Sequence, residues 1–317
     1  MLLSNFLLFI IMYLISFHLV MSGDDWFLIW MGLEVNMMMF IMLVYERYSI
    51  YNIESCLKYF FIQSMGSALL MGIFYLNKDF INELMCLVMS YKIGAGPFFF
   101  WFPSICNGIS WMSCFVLMCL QKIIPFILLT LFLSFCLFFV IIVSLFFGVF
   151  GSFNQKDLKQ LIAYSSVYHL GWMMMSMMSL NMFWMVYLIF YMMLIFPLVY
   201  FFGKVKVDSL LDVIKMKYKK WFVLVMLSMA GMPPFLGFFL KWFAFISIFI
   251  LEYFFWLVLV FSSIVMFYIY YRVIYDVLMV FFSYSVWINR IEKGNNMWWD
   301  TMSIIGFIVG MMIMLIM

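Results

Sequence analysis

Apolar runs of about twenty residues recur along the whole chain, separated by short polar breaks. A bilayer-spanning helix needs about 20 such residues. The pattern predicts eleven spans, near 2–21, 26–45, 57–76, 82–102, 107–124, 126–150, 158–178, 182–202, 219–250, 254–282 and 298–316. These runs are apolar on all sides, whereas barrel strands alternate apolar and polar positions, which argues against a β-barrel. The ninth run is too long for one straight crossing and contains Gly231-Met232-Pro233-Pro234, which predicts a broken helix.

The fourth run carries Gly94-Ala95-Gly96-Pro97-Phe98, and the ninth carries Gly231-Met232-Pro233-Pro234-Phe235. Both read Gly-x-x-Pro-Phe, five spans apart. An odd separation makes the two spans run in opposite directions, the mark of an inverted repeat. The expected fold is an all-α polytopic membrane protein forming one domain over 1–317. It comprises repeat one (about 1–125), repeat two (about 126–282) and a C-terminal helix (about 298–316).

Composition agrees. Of 317 residues, 69% are hydrophobic and only 10% charged, too few charges to cover a water-soluble surface. The 42 Phe and 35 Met fit an A+T-rich gene read with a code in which an isoleucine codon means methionine, which points to a mitochondrial genome. Met1 leads straight into a span with no Arg-rich presequence, in keeping with that expectation.

The loops set the orientation. Even-numbered loops and their flanks hold twelve Lys and Arg, including Arg47, Lys58, Lys156, Lys159, Lys204 and Lys206, whereas the odd-numbered loops hold only Lys78. By the positive-inside rule, the N-terminus and the 203–220 loop face the matrix. That loop reads as a solvated, orientation-setting cluster, or as a docking patch for an anionic lipid or a neighbouring subunit.

Five ionisable residues fall well inside the predicted spans: Glu34, Lys92, Lys122, Lys241 and Arg272. Each costs about 2.5–3.5 kcal/mol at a membrane centre on insertion scales, so such residues usually face a protein interior or a hydrated cavity. Lys92 and Lys241 flank the two breaks, where backbone groups need water or protein partners. Burial disfavours a lysine's charged form, so a buried lysine can both take and release a proton. Arginine stays protonated, which makes Arg272 an anchor, with Asp276 one turn on as a local partner. Lys122, near Pro125, reads either as part of a relay or as a snorkelling side chain. His169, beside Tyr164, Ser165 and Ser166, reads as a proton wire or as an interhelical hydrogen-bond partner.

Magnitudes limit the arrangement. Moving one charge across roughly 150–200 mV costs about 3.5–4.5 kcal/mol. A single charge at about 10 Å with an effective dielectric near 20 supplies only about 1.7 kcal/mol. A close Glu–Lys pair, or several coupled lysines, is therefore needed.

No Walker sequence, dinucleotide loop or catalytic triad is present, and nucleic-acid binding has no support. The six cysteines form no Cys-x-x-Cys pair, and there are two histidines, so metal ligation is not expected.

Several segments resemble one family. They are Gly32-Leu33-Glu34-Val35-Asn36-Met37, the run from Glu54 to Phe60, Lys92-Ile93-Gly94-Ala95-Gly96-Pro97-Phe98, Gly108 to Met112, Gln121 to Pro125, Asn154-Gln155, Leu161 to Trp172 and Leu227 to Trp242. In this order they resemble the antiporter-like membrane subunits of mitochondrial NADH:ubiquinone oxidoreductase (respiratory complex I), the second-subunit family in particular. The resemblance implies proton translocation across the mitochondrial inner membrane, with NADH, FMN, iron–sulfur clusters and ubiquinone all held by other subunits. It implies neighbouring antiporter-like subunits and inner-membrane lipids, cardiolipin among them, as partners. Glu34 and Lys92 match the family's carboxylate–lysine pair, Lys122 its connecting lysine and Lys241 the lysine towards proton exit. The animal form of the family lacks three N-terminal helices, which agrees with eleven spans. Phe99 stands where the family often has histidine, Leu120 replaces a common tryptophan, and Gln160 replaces a basic residue. A freestanding cation/proton antiporter is the alternative, since it would use the same broken helices and lysines.

Overall fold

The apolar runs fold into helices in the computed structural model, which describes residues 2–285 apart from 48, 75–79, 180–182, 206, 216–218, 234 and 249–252. In chain order they are α1 (Leu2–Ser22), α2 (Trp26–Val44), α3 (Ile50–Phe74), α4 (Ile81–Ile93), α5 (Trp101–Gly108), α6 (Trp111–Met118) and α7 (Leu120–Leu131). The second half holds α8 (Cys136–Ser152), α9 (Leu158–Ser179), α10 (Phe183–Val205), α11 (Leu210–Lys215), α12 (Lys219–Ala230), α13 (Leu236–Ile248) and α14 (Tyr253–Ser285). Among the described residues, Trp26–Val44, Ile50–Phe74, Trp111–Leu131, Phe183–Val205 and Phe254–Met279 are long and apolar enough to cross a bilayer. The pair Ile81–Phe98 and Trp101–Gly108, bent by 91°, is a broken span or a re-entrant loop, which gives five such segments, or six with the pair taken as one span. The protein is an all-helical, multi-pass membrane protein. The expected span at 298–316 and Pro234 lie outside the described residues, as do Lys78 and Lys206.

Three boundaries differ from the sequence reading. The third helix starts at Ile50, not near 57: the Ser49 carbonyl accepts from the Asn52 and Ile53 amides at 3.1 Å each, and Glu54 and Lys58 pair at 2.6 Å along the face of the extra turns. The helix carrying Lys122 runs through Pro125 to Leu131, and the next begins at Cys136, so the expected stop at 124 is corrected. Distortion falls instead at Cys119, between α6 and α7, while Pro125 is absorbed inside α7. Arg272 is exposed on the middle stretch of α14, with its guanidinium 5.8 Å from the Phe153 ring centroid. Among the described residues it makes no ion pair with Asp276.

Helix α9 forms the centre. It is buried nearly throughout, including Ser165, Ser166 and His169, and packs against α5, α6, α8, α10 and α13. Its closest approach is to α8, through two glycines. A Cβ at Gly148 would lie 2.6 Å from the Tyr168 amide nitrogen, and one at Gly171 would lie 2.7 Å from Leu145 Cδ2. Small residues at such crossings let helix backbones touch where lipid offers no hydrophobic drive. Phe99 stacks on Phe147 at 4.5 Å, so this position serves packing.

The 203–220 segment is tied down where the structure describes it. Asp157 and Ser209 form an antiparallel bridge, the Leu210 amide donates to the Lys156 carbonyl at 3.0 Å, and Lys159 pairs with Asp208 at 3.0 Å.

Candidate functional site: two helix breaks and a buried polar cavity

Both breaks are built alike. Gly94 (φ 76°) and Gly231 (φ 81°) occupy the left-handed region that favours glycine. The Gly94 amide donates to Tyr91, and the Ala95 amide reaches back to Ser90 at 2.9 Å. The Gly231 amide donates to Ser228, and the Met232 amide reaches back to Leu227 at 3.4 Å. This paired pattern is the Schellman ending of a helix. After each break the chain turns again, with Phe98 donating to Ala95 and Phe235 to Met232.

A broken helix in an apolar bundle leaves carbonyls that must find donors. At the first break, Gln63 Nε2 donates to the Lys92 carbonyl at 3.0 Å and Trp101 Nε1 to the Tyr91 carbonyl at 3.3 Å. At the second, Lys241 Nζ donates to the Ala230 carbonyl at 2.8 Å.

Beside the first break lies a cavity of about 30 Å³, lined by Glu34, Asn36, Gln63, Ser67, Lys92, Gln121 and Lys122 among apolar neighbours. A volume of about 10–15 Å³ holds one water. The cavity brings together three of the sequence-derived residues. Glu34 accepts a hydrogen bond from Ser67 Oγ. Lys92 is buried, its stem against Gly66, where a Cβ would come within 2.9 Å of its Cγ. Lys122 is only 2% exposed and does not snorkel. Its ammonium lies 5.0 Å from the Phe102 ring centroid and 5.7 Å from that of Tyr191, with no hydrogen-bond partner among the described residues. Asn36 Oδ1 and Gln121 Nε2 are likewise buried and, among the described residues, unpartnered. Glu34 and Lys92 share the cavity, while the carboxylate's direct contact is Ser67; among the described residues the two do not meet within 4.0 Å.

His169 stands apart from the cavity. Its Nδ1 lies 2.8 Å from the Tyr187 hydroxyl, its Nε2 has no partner among the described residues, and its ring is 5.0 Å from that of Tyr191. Tyr191 thus touches both Lys122 and His169. On the other side, Trp172, one turn beyond His169, meets Phe245, one turn beyond Lys241, at 5.0 Å. Lys241 lines a separate groove of about 620 Å³, walled by Trp242, Phe245, Trp256, Ile264 and Phe267.

Ser67, Gln63, Tyr187 and Tyr191 escaped the sequence reading. Gln63 and Ser67 carried a signal, polar residues one turn apart in an apolar helix with Gly66 between them. Tyr187 and Tyr191 carried none, being two of 19 tyrosines. Among the described residues, no three His, Cys, Asp or Glu side chains gather as a metal group. Cys86 and Cys114 donate to the Phe132 and Cys106 carbonyls instead.

Comparison with known proteins gives a consistent answer. The family model for the transmembrane part of NADH:quinone oxidoreductase and Mrp antiporters matches residues 75–267. NADH-ubiquinone oxidoreductase chain 2 of Anopheles gambiae is 33% identical, covering 92% of this chain and 91% of that one. The chain 2 protein of Locusta migratoria is 34% identical over 74% of each. In fold, a chain of Thermus thermophilus respiratory complex I superposes with a TM-score of 0.79 at 20% identity, covering 96% of this chain and 77% of that one. A chain of the Mrp complex from a Dietzia species superposes with a TM-score of 0.66 at 15% identity, covering 86% and 59%. With its two glycine breaks and its buried lysines, this chain belongs to the NADH:quinone oxidoreductase/Mrp antiporter transmembrane family, within the NADH-ubiquinone oxidoreductase chain 2 group.

Proposed function

We propose that this chain is a membrane-arm subunit of respiratory complex I that takes part in moving protons across the mitochondrial inner membrane while other subunits pass electrons from NADH to ubiquinone. The observation that carries the reading is the internal cavity shared by Glu34, Lys92 and Lys122. Unpartnered buried polar atoms are met by ordered water, and waters between ionisable groups carry protons. In this reading a proton held near Glu34 and Lys92 passes to Lys122, then by Tyr191 and His169 towards Lys241. The groove beside Lys241 is the exit side. Redox cofactors, namely FMN, iron–sulfur clusters and ubiquinone, belong to other subunits.

The chain crosses the membrane eleven times in this reading, counting 298–316, with matching five-helix repeats of opposite direction. The equal hydrogen-bond patterns at Gly94 and Gly231 support the repeat, and the join falls at 132–135 rather than at 125. The N-terminus and the 203–220 segment face the matrix, the gene is mitochondrial, and neighbouring antiporter-like subunits and inner-membrane lipids surround the chain.

The test is proton uptake per NADH oxidised in liposomes containing the whole complex. Glu34→Gln and Lys241→Met should lower that ratio in an assembled complex; unchanged ratios for both would sink the reading. The fold shared with the Mrp chain keeps a second reading, a freestanding cation/proton antiporter. On a mild native gel, the first reading expects the chain in the large NADH-oxidising band, and the second expects it alone at low mass.

A further inference from the structure

The start of α6, the start of α9 and the end of α10 meet at one end of the bundle, where apolar segments give way to the bridged 153–158 and 207–210 loops. Between them opens a pocket of about 460 Å³, lined by Ser110, Trp111, Lys159, Tyr200, Lys204 and Asp208. Lys159 lies 5.5 Å from the Trp111 ring centroid and pairs with Asp208. Lys204 lies 4.4 Å from the Tyr200 ring centroid, and among the described residues no carboxylate lies within 4.0 Å of it. Two ammonium groups thus face one carboxylate, and both rest on aromatic rings of the kind that line membrane–water boundaries.

The surface below the pocket is apolar. Met112 on α6 and Met193 and Phe196 on α10 are exposed. From Lys204 back to Ile189 the exposed face of α10 runs 15 residue steps. That is about 22 Å of helix, enough to cover one leaflet's hydrocarbon of roughly 15 Å.

We propose that this pocket binds the phosphodiester headgroup of an anionic phospholipid, its phosphate between Lys159 and Lys204 and its acyl chains along the α6–α10 face. The proposal rests on the reading of this chain as a membrane subunit and not on any proton route. A soluble phosphate would gain nothing from the apolar face. A zwitterionic lipid brings a cation of its own towards the lysines, which disfavours it.

The experiment uses the purified complex containing this chain and a phosphatidylglycerol with a photoreactive acyl chain, with the labelled peptides mapped by mass spectrometry. Label is expected on the segments around Met112 and on 189–200. Unlabelled phosphatidylglycerol should compete for it; phosphatidylcholine and inorganic phosphate should not. Lys204→Gln should cut labelling about fivefold, the worth of one lysine at an anionic surface, while Lys204→Arg keeps it. Equal competition by phosphatidylcholine overturns the proposal in favour of ordinary surrounding lipid, and competition by inorganic phosphate overturns it in favour of a free-anion site. Absence of label at these segments, or labelling unchanged by Lys204→Gln, overturns it as well. If Lys204→Gln fails to assemble, competition in the unmodified complex decides alone. Proton uptake per NADH is read on the same preparation, so failure of the proton reading is seen separately.

Discussion

Lys241 donates a 2.8 Å hydrogen bond to the carbonyl of Ala230, eleven residues earlier and across the second helix break. In an unbroken helix that carbonyl would accept from residue 234, which is proline and has no N–H. The break therefore creates the acceptor that holds the lysine, and the lysine satisfies the carbonyl that the break exposes. Lys241→Met should remove both, leaving a buried carbonyl at a cost of about 1–3 kcal/mol. Lys241→Arg keeps a donor and a charge but cannot release a proton. Arg should restore stability in a thermal melt of the complex, yet leave proton transfer through this step slower by roughly a hundredfold or more.

Gly231 and Gly94 test the breaks. Gly231→Ala places a Cβ 3.0 Å from Lys241 Nζ at a positive φ, and Gly94→Ala places one 3.0 Å from Trp101 Cζ2. Each should cost about 1–2 kcal/mol from backbone strain alone. Gly72, with nothing within 4 Å of its notional Cβ, is the control. Gly72→Ala, in the last turn of α3, should be neutral or stabilising by at most about 0.5–1 kcal/mol. Melting temperatures of the assembled complex separate the two classes.

Ser67 holds Glu34 by a single hydroxyl. A hydrogen bond to a charged group is worth about 1.5–3 kcal/mol. Ser67→Ala should slow proton uptake by roughly tenfold without abolishing it, whereas Glu34→Gln should abolish the contribution of this cavity. Equal effects of the two variants would show that the hydroxyl does more than position the carboxylate.

Tyr187→Phe deletes the hydroxyl that meets His169 Nδ1. Which ring nitrogen carries the proton is set by the bond the other makes. The variant should lose about 1–3 kcal/mol of stability and slow proton uptake, whereas a purely structural histidine would show only the first effect.

Gly148→Ala would drive a Cβ to 2.6 Å from the Tyr168 backbone nitrogen, which cannot swing aside as a side chain can. Helices α8 and α9 would have to separate. The expected outcome is a sharp fall in assembled complex on a native gel.

Much of the fold was legible because the bilayer imposes it. Crossing hydrocarbon requires a long apolar helix, so α2, α10 and α14 begin and end within a few residues of the expected spans. The breaks were legible because glycine and proline leave few alternatives at Gly94 and Gly231. The candidate site was legible as a set of costs, because Glu34, Lys92, Lys122 and Lys241 are each too expensive to leave in lipid.

What the sequence determined by itself, then, was which groups must be buried and where helices must break, because those follow from local chemistry and the solvent. Only the tertiary structure decided which buried groups meet. It put Lys122 between Phe102 and Tyr191, gave Glu34 to Ser67, His169 to Tyr187 and Lys241 to the Ala230 carbonyl, and absorbed Pro125 within α7. Partners so far apart in sequence are chosen by how whole helices pack, and that packing is a property of all the faces at once.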